Sequence, residues 1–304
     1  MMGHPDHLEL LESCELISEG FPEAGSRWHL LYAGGSLPWA RLRPDPRAYD
    51  LLCLFVSGSD RSPLVSSLKG VLGTNVLAIP ARPPIRGRIH AAFHPLGYLP
   101  LPSPERLLSE EPLLRWKQFR EAVEVRALHT QREAGLRPVI IHPGSGSPKK
   151  NWPSARFVEL LSRLKVGFPR ARPWLLQGPA DGEAVHAIGE GLGKLMEIPL
   201  LRPHRLTDLT ALLQEATLFV GNDSGVTHLS AALGVPTIAI FGPSDPAVWA
   251  PIGPRTYVLY GESPCEPCHL TEPRHCPYPT CLRFPSVKDV EATLRDLEHS
   301  LTRP

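Results

Sequence analysis

The segment that most constrains the fold of this chain is residues 218–243, which read LFVGNDSGVTHLSAALGVPTIAIFGP. Two apolar runs, 218–220 and 237–241, are typical of buried strands, and the residues between them predict a short helix. The apolar residues of that helix have the spacing of one buried face: Val226, Leu229 and Leu233. The segment therefore predicts one βαβ unit of a parallel sheet, with the polar turn 221–225 at the carboxyl edge where ligands of such sheets bind.

The same alternation of strands and helices continues from residue 137 to residue 260. The apolar runs that predict strands are residues 138–142, 174–176, 195–198, 218–220 and 237–241. An amphipathic helix after the first of these strands is indicated by its apolar stripe: Phe157, Leu160, Leu161 and Leu164. Turns rich in glycine and proline follow the strands. The pattern predicts an α/β, doubly wound sheet with a nucleotide-type ligand at its edge.

The first part of the chain has a weaker pattern. Apolar runs at residues 28–33, 51–56 and 71–79 predict strands, and residues 107–134 have the composition of a long helix. We therefore expect two domains, residues 1–134, which end in this crossover helix, and residues 135–304.

Charge and hydropathy exclude several classes of function. The net charge is +1, which gives no basic field for binding nucleic acid. No segment has the roughly 20 consecutive apolar residues that cross a bilayer. The first residues are acidic where a signal peptide would be basic. We expect a cytoplasmic protein that does not bind nucleic acid.

Two turns at the expected carboxyl edge contain residues suited to an anion. Residues 143–152 include Ser145 and Lys150, but they match neither a P-loop nor a dinucleotide fingerprint. They are either an ordinary loop or a cradle for a diphosphate, whose charge a lysine would balance. Residues 223–225, with His228 one turn further on, are either a helix cap or a phosphate site, and the two roles are compatible.

Four of the six cysteines lie near the carboxyl end of the chain: Cys265, Cys268, Cys276 and Cys281. Their spacing does not fit a standard zinc finger, so they either hold a structural zinc ion or are reduced thiols that pack a loop. A disulfide is not expected in a cytoplasmic chain. Neither interpretation makes these cysteines catalytic.

Two longer motifs resemble those of a known family. The segment HPGSGSPKKNWPSARFVELLSRL has K-x-W-P after a strand, and FVGNDSGVTHLSAALGVPTIAIFGPSDPAVWAPIG has D-[ST]-G-x-x-H-L-x-x-A-L-x-x-P followed by G-P-[ST]-x-P. Over about residues 137–285 the chain resembles the bacterial heptosyltransferases of lipopolysaccharide synthesis, glycosyltransferase family 9.

The resemblance implies a GT-B fold, in which two Rossmann-like domains face a cleft and the C-terminal one binds the nucleotide-sugar. It implies transfer of a heptose, or a related sugar, from an ADP-sugar to a lipopolysaccharide-core-type acceptor, with inversion and without a required metal or other cofactor. The partners would be that donor and a lipid- or saccharide-type acceptor at the inner membrane surface. Lys150 would pair with the donor diphosphate, and Glu183 would lie near the ribose. The full set of expected donor-binding residues is Ser145, Lys150, Glu183, Asp223, Ser224, Gly225 and His228.

The resemblance leaves the general base unassigned. The family opens with an apolar strand and a Gly-Asp turn that supplies the base, whereas Gly3-His4-Pro5-Asp6 follows no such run of apolar residues here. We therefore expect an N-terminal domain shortened by roughly forty to sixty residues. The catalytic residue is left unassigned, with Asp60, at the end of a predicted strand, as a candidate substitute base. Loss of a base costs roughly 10²–10⁴-fold in rate. The alternative function is therefore a non-catalytic nucleotide-sugar-binding protein.

Overall fold

The computed structural model describes residues 1–22, 45, 48–56, 63–72, 76–84, 89–98, 114–115, 122–194, 196–261 and 280–302. Several expectations lie outside these residues: the strand at 28–33, Asp60, Cys265, Cys268 and Cys276. The chain divides into two compact units, Met1–Leu108 and Ser109–Pro304. A domain boundary after residue 134 stays a prediction.

The first unit contains short parallel strand pairs, each joined by a helix. Its elements in chain order are β1 (Met2–Gly3), α1 (Pro5–Ser13), β2 (Phe21–Pro22), β3 (Leu52–Val56), α2 (Pro63–Leu72), β4 (Val76–Pro80) and a 3₁₀ turn (His94–Tyr98). β1 pairs with β2, and β3 pairs with β4. The sequence pattern predicts no strand before His4. This prediction is wrong, because β1 lies there. A two-residue strand has no apolar pattern of its own, because it is defined only by its pairing with residues 21–22.

The second unit is one parallel sheet with helices packed against it. Its elements in chain order are α3 (Val123–Glu133), β5 (Arg137–His142), α4 (Ser154–Gly167), β6 (Ala171–Leu176), α5 (Gly182–Leu192), β7 (Leu200–Leu201), α6 (Leu206–Glu215), β8 (Leu218–Asn222), α7 (Gly225–Ala232), β9 (Thr237–Phe241), α8 (Pro246–Trp249), β10 (Thr256–Tyr260) and α9 (Val287–Thr302). Short 3₁₀ turns lie at Pro148–Lys150 and Thr280–Arg283.

The strand order of this sheet is β10-β9-β8-β5-β6-β7, and every pair is parallel. The chain starts in the middle at β5, runs outward through β6 to β7, and then returns to β8 on the other side. This is the doubly wound order, whose direction reverses between β5 and β8. The predicted doubly wound sheet is therefore confirmed, and its switch point lies where β5 and β8 end.

The main hydrophobic core lies between the sheet and helices α4, α5 and α9. The predicted stripe of α4 is confirmed, since its members are all buried: Phe157, Leu160, Leu161 and Leu164. Helices α3, α6 and α7 pack against one another and against β5, β8 and β9. Helices therefore pack against every strand of the switch point, which holds the strand ends in fixed positions.

Three predicted elements are placed differently by the structure. The strand expected at 71–79 begins only at Val76, and Val71 and Leu72 are the last residues of helix α2. The strand expected at 195–198 is wrong, because the pairing with β6 is made by Leu200 and Leu201 after Pro199. A proline has no N–H to donate to a ladder, but its carbonyl can accept, and Pro199 O accepts from Leu175 N at 2.9 Å. The long helix is also wrong, since Leu114 and Arg115 are not helical and α3 begins at Val123.

The buried face of α7 also differs from the apolar pattern. Its buried residues are Thr227, Ser230 and Ala231. Of the predicted face, Leu233 at the carboxyl end of the helix is buried, whereas Val226 and Leu229 are half-buried. The two hydroxyls are satisfied inside the protein, because Ser230 Oγ lies 2.9 Å from Thr237 Oγ1 and Thr227 Oγ1 donates to Asn222 O. A small polar residue with a local partner can therefore be buried where hydrophobic periodicity does not predict it.

Candidate functional site

The candidate site lies at the switch point of the second unit, beyond the carboxyl ends of β5 and β8. It consists of residues 143–152 after β5, the turn 177–181 after β6, and the turn from β8 into α7. These segments come together because neighbouring parallel strands end at the same edge of the sheet. The sequence predicts the first and third of them as parts of one site.

Asn222, the last residue of β8, fastens the loop 143–152 to the sheet. Its Nδ2 donates to Pro143 O at 2.8 Å, and its Oδ1 accepts from Trp152 N at 2.9 Å. Asn222 is fully buried, so neither amide atom has water as an alternative partner. The two ends of the loop are therefore held by one side chain.

Trp152 fixes the carboxyl end of the same loop. The indole is buried, and its Nε1 donates to Pro285 O at 2.9 Å. Arg156 donates to Pro285 O and to Arg283 O, each at 2.7 Å, and its guanidinium lies 5.8 Å from the centre of the indole ring. The K-x-W-P motif therefore joins the loop to the segment before α9.

Lys150 and Asp223 form an ion pair between the two loops. Lys150 Nζ lies 2.6 Å from Asp223 Oδ2; the lysine side chain is 37% exposed and the aspartate side chain 7%. The lysine comes from the 3₁₀ turn after β5, and the aspartate from the turn after β8. Two residues predicted to bind the donor are thus in direct contact.

Ser224 caps the amino terminus of α7, and the predicted cap is therefore confirmed. Its backbone is extended, and its Oγ accepts from Thr227 N at 3.3 Å. The first N–H groups of a helix have no partner within the helix and carry a partial positive charge. The first residue of α7, Gly225, is exposed, so this helix end is open to an anion.

A buried pair of titratable residues supports this edge of the sheet, and the sequence does not single it out. His142 Nε2 lies 2.8 Å from Asp181 Oδ2, and the side chains are 4% and 6% exposed. Asp181 Oδ2 also accepts from Gly178 N at 2.7 Å. Burial by itself raises the pKa of Asp181, but the hydrogen bond from His142, its charge and the Gly178 N–H together hold the pKa below its usual value.

Gly144 is the point of closest approach between the loop and this pair. A Cβ at Gly144 would lie 1.7 Å from Asp181 Oδ1, whereas a Cβ at Gly146 would meet nothing within 4 Å. The first glycine of the loop is therefore required for space and the second is not. The pair could have been predicted from the positions of its members, because His142 is the last residue of one strand and Asp181 lies in the turn after the next strand.

The structure places the other predicted donor-binding residues around this edge in different surroundings. Ser145 is buried within its own loop, where its Oγ donates to Ser147 O at 2.7 Å. His228 is half-buried in α7, one turn after Ser224. Glu183 is exposed in the first turn of α5. Their roles in donor binding stay predictions.

The described part of the chain has no group of three or more His, Cys, Asp or Glu side chains placed to hold a metal ion. Cys281 is partly buried, and the other three clustered cysteines lie outside the described residues. A structural zinc site therefore stays a prediction. Among the same described residues, no helix is both long and apolar enough to cross a bilayer.

The strand order and the polar cluster at the switch point define an α/β domain of the doubly wound, nucleotide-binding class. The sequence model of glycosyltransferase family 9 (heptosyltransferase) matches residues 77–278, which is more than half of the chain. The chain belongs to this family, and the resemblance found in its motifs is confirmed.

Individual relatives agree with this membership. Lipopolysaccharide heptosyltransferase 1 of Pseudomonas aeruginosa is 33% identical over 131 residues, which cover 43% of this chain and 35% of that protein. Lipopolysaccharide heptosyltransferase 3 of Escherichia coli is 29% identical over 46% of this chain and 39% of that protein. The chain thus spans little more than a third of the length of the curated relatives it matches.

Solved structures confirm the fold. ADP-heptose lipopolysaccharide heptosyltransferase II of E. coli aligns with a TM-score of 0.66 and 20% identity over 99% of this chain and 89% of that chain. The E. coli heptosyltransferase WaaC with ADP aligns with a TM-score of 0.57 and 16% identity over 97% and 89%. The predicted GT-B class, with its α/β units and parallel sheets, is therefore confirmed.

Proposed function

We propose that this protein is a glycosyltransferase that moves a heptose, or a related sugar, from an ADP-sugar to a lipopolysaccharide-core-type acceptor with inversion. The observation that carries the proposal is the meeting of Lys150 and Asp223 at the switch point, beside the amino terminus of α7. Membership of glycosyltransferase family 9 supports the transferase class. The two E. coli proteins of similar structure, an ADP-heptose heptosyltransferase and WaaC with bound ADP, support an ADP-sugar as the donor.

The charges at the edge suit the leaving group of such a reaction. When the bond between the sugar and the diphosphate breaks, negative charge develops on the diphosphate. A lysine and the amino terminus of a helix stabilise developing negative charge when they are fixed before the reaction. In this proposal Lys150 contacts the diphosphate, Ser224 and Gly225 offer it the first turn of α7, and Glu183 lies on the nucleoside side.

The proposal needs no metal ion, because a lysine and a helix end supply the positive charge that a metal would supply in other transferases. The acceptor is a lipid- or saccharide-type molecule at the inner membrane surface, and the protein acts there from the cytoplasm. The relatives are named as transferases, and they do not favour the binding-only alternative.

Titration calorimetry with ADP tests the donor site. Wild-type protein is expected to bind ADP, and Lys150→Ala is expected to weaken binding by roughly 10–100-fold, because one charge-assisted contact is lost. Lys165→Ala is the matched control, since Lys165 is an exposed lysine in the last turn of α4 and its loss is expected to leave the affinity unchanged.

Two outcomes would contradict the proposal. One is an absence of binding at millimolar ADP by the intact wild-type protein. The other is equal ADP affinity of wild type and Lys150→Ala. Release of ADP from ADP-heptose in the presence of a lipopolysaccharide-core acceptor then separates an enzyme from a binding protein, because only the enzyme turns the donor over.

A further inference from the structure

A buried series of hydrogen bonds links the turn after β6 to the first turn of α7. It runs from Asp181 Oδ2 to His142 Nε2 at 2.8 Å, and from His142 Nδ1 to Ser224 Oγ at 3.4 Å. From Ser224 Oγ it continues to Thr227 Oγ1 at 3.0 Å. None of these four residues is more than 8% exposed. The proposed reaction as described above assigns no role to His142 or Asp181.

The protons of this series can be assigned from one end. Thr227 Oγ1 contacts the carbonyl oxygen of Asn222, which can only accept, so Thr227 uses its single hydroxyl proton there. The contact between the two hydroxyls then requires Ser224 to donate to Thr227. The Ser224 hydroxyl has only this one proton, so toward every other partner Ser224 Oγ acts as an acceptor, as it does from Thr227 N. Its contact with His142 is a hydrogen bond only if Nδ1 carries a proton.

The other end of the series requires a proton as well. The carboxylate of Asp181 has no proton to donate, so its bond with His142 needs a proton on Nε2. All the contacts are therefore satisfied together when both ring nitrogens of His142 are protonated. The other titratable side chains on the adjoining loops and on the first turns of α5 and α7 are Lys149, Lys150, Glu183, Asp223 and His228. Of these, Lys150 and Asp223 bind each other, and the remaining titratable residues of α5, His186 and Glu190, form an exposed pair further along that helix.

We propose that His142, held by Asp181 and protonated on both ring nitrogens, is a positioning residue for the donor diphosphate and acts through Ser224. The imidazolium donates to Ser224 Oγ and so fixes the capping side chain that sets the first turn of α7. Asp181 fixes the ring and, through Gly178, its own turn after β6. The identity of the ligand as an ADP-sugar rests on the proposed function.

The first test reads the ring directly. Nitrogen-15 NMR of histidine-labelled, full-length protein, in the buffer used for calorimetry, reports whether each ring nitrogen carries a proton, and His142→Gln identifies the signals. Both nitrogens of His142 are expected in the protonated range, and Asp181→Asn is expected to shift them. A His142 signal with an unprotonated Nδ1 would overturn the proton assignment.

The second test measures ADP binding and donor kinetics. His142→Gln and Asp181→Asn are each expected to weaken ADP binding by roughly tenfold, and to raise the KM for the donor by a similar factor with a smaller change in kcat. The double variant is expected to lose no more affinity than either single variant, because the two residues act as one unit. His186→Gln is the control, since this α5 histidine has a 75% exposed side chain and no part in the series.

The outcomes separate this inference from the proposed function. If the wild-type protein does not bind ADP, the proposed function and the positioning role both fail. If it binds ADP and folded His142→Gln binds it equally well, the positioning role alone fails. If His142→Gln does not fold, as judged by its thermal unfolding, Asp181→Asn decides between the same two results.

Discussion

At the scale of single residues, Gly144 shows why the loop after β5 has the composition it has. The carboxylate of Asp181 occupies the space where a side chain at Gly144 would lie, so this glycine is required by close approach of another group. Gly146 looks equivalent in the sequence, but it faces open space. The difference between the two glycines depends on Asp181, which lies in the turn after the next strand and is therefore not part of any pattern within the loop.

We expect Gly144→Ala to destabilise the protein by roughly 1–3 kcal/mol, the usual cost of forcing extra atoms into a packed region. Gly146→Ala is the matched control in the same loop, and its unfolding free energy is expected to stay within about 0.5 kcal/mol of wild type. Urea unfolding of both variants measures the difference. Equal stability of the two variants would contradict the placement of Asp181 against Gly144.

Residues whose roles are local were predictable from the sequence, and residues whose roles depend on distant partners were not. Ser224 is an example of the first kind, because a serine before a helix caps it through its own backbone neighbours. His142 and Asp181 are of the second kind, since 39 residues separate them and the sheet brings them together. The contact of Lys150 with Asp223 needed the sheet and the family motif together.

At the scale of elements, hydrophobic periodicity predicts the buried face of a helix correctly where the buried side chains are apolar, and wrongly where they are polar. The stripe of α4 was predicted correctly because its buried residues are all large and hydrophobic. The buried face of α7 was not, because hydroxyl groups with local acceptors take the place of apolar side chains. Strand β7 was placed too early because the apolar run continues on both sides of Pro199.

The buried stripe of α4 supports a prediction on stability. Leu160 is completely buried in the main core, and Leu160→Ala is expected to cost roughly 2–5 kcal/mol in the free energy of unfolding. Val166 lies on the same helix with 85% of its surface exposed, and Val166→Ala is expected to change stability by about 0.5 kcal/mol or less. Chemical denaturation of both variants checks this, and a cost below that of the control would contradict the assigned core.

At the scale of the whole molecule, the sequence predicts the alternation of strands and helices but not the order of the strands. Strand order depends on pairing between distant segments, such as Ile140 of β5 with Phe219 of β8. The reversal between these strands decides which loops meet, and so which residues form the site. The family motifs supplied this information because members of one family share one strand order.

Asp181 links the charge of the site to the acid stability of the whole protein. Its folded pKa lies below the unfolded value of 3.8, so below neutral pH the unfolded chain binds more protons at this group. The stability it contributes is therefore complete above the unfolded pKa and is lost as the pH falls through the folded pKa. We expect the stability difference between wild type and Asp181→Asn to shrink over this acid range.

Unfolding free energies of both proteins, measured from neutral pH down to the lowest pH at which each stays folded, test this expectation. Asp181→Asn removes the titrating group but keeps its shape. A stability difference that stays constant through the acid range would show that Asp181 does not have a lowered pKa in the folded protein.

The hold of Asn222 on Pro143 and Trp152 has a consequence for how this protein can vary among its relatives. Both ends of the loop bind the side-chain amide of Asn222, so the number of residues in the loop is fixed even at positions where the residue type is not. Surface loops ordinarily accept extra residues at a small entropic cost. This loop should instead accept changes of residue type at positions such as Gly146, while an inserted or deleted residue would move Lys150 out of line with Asp223.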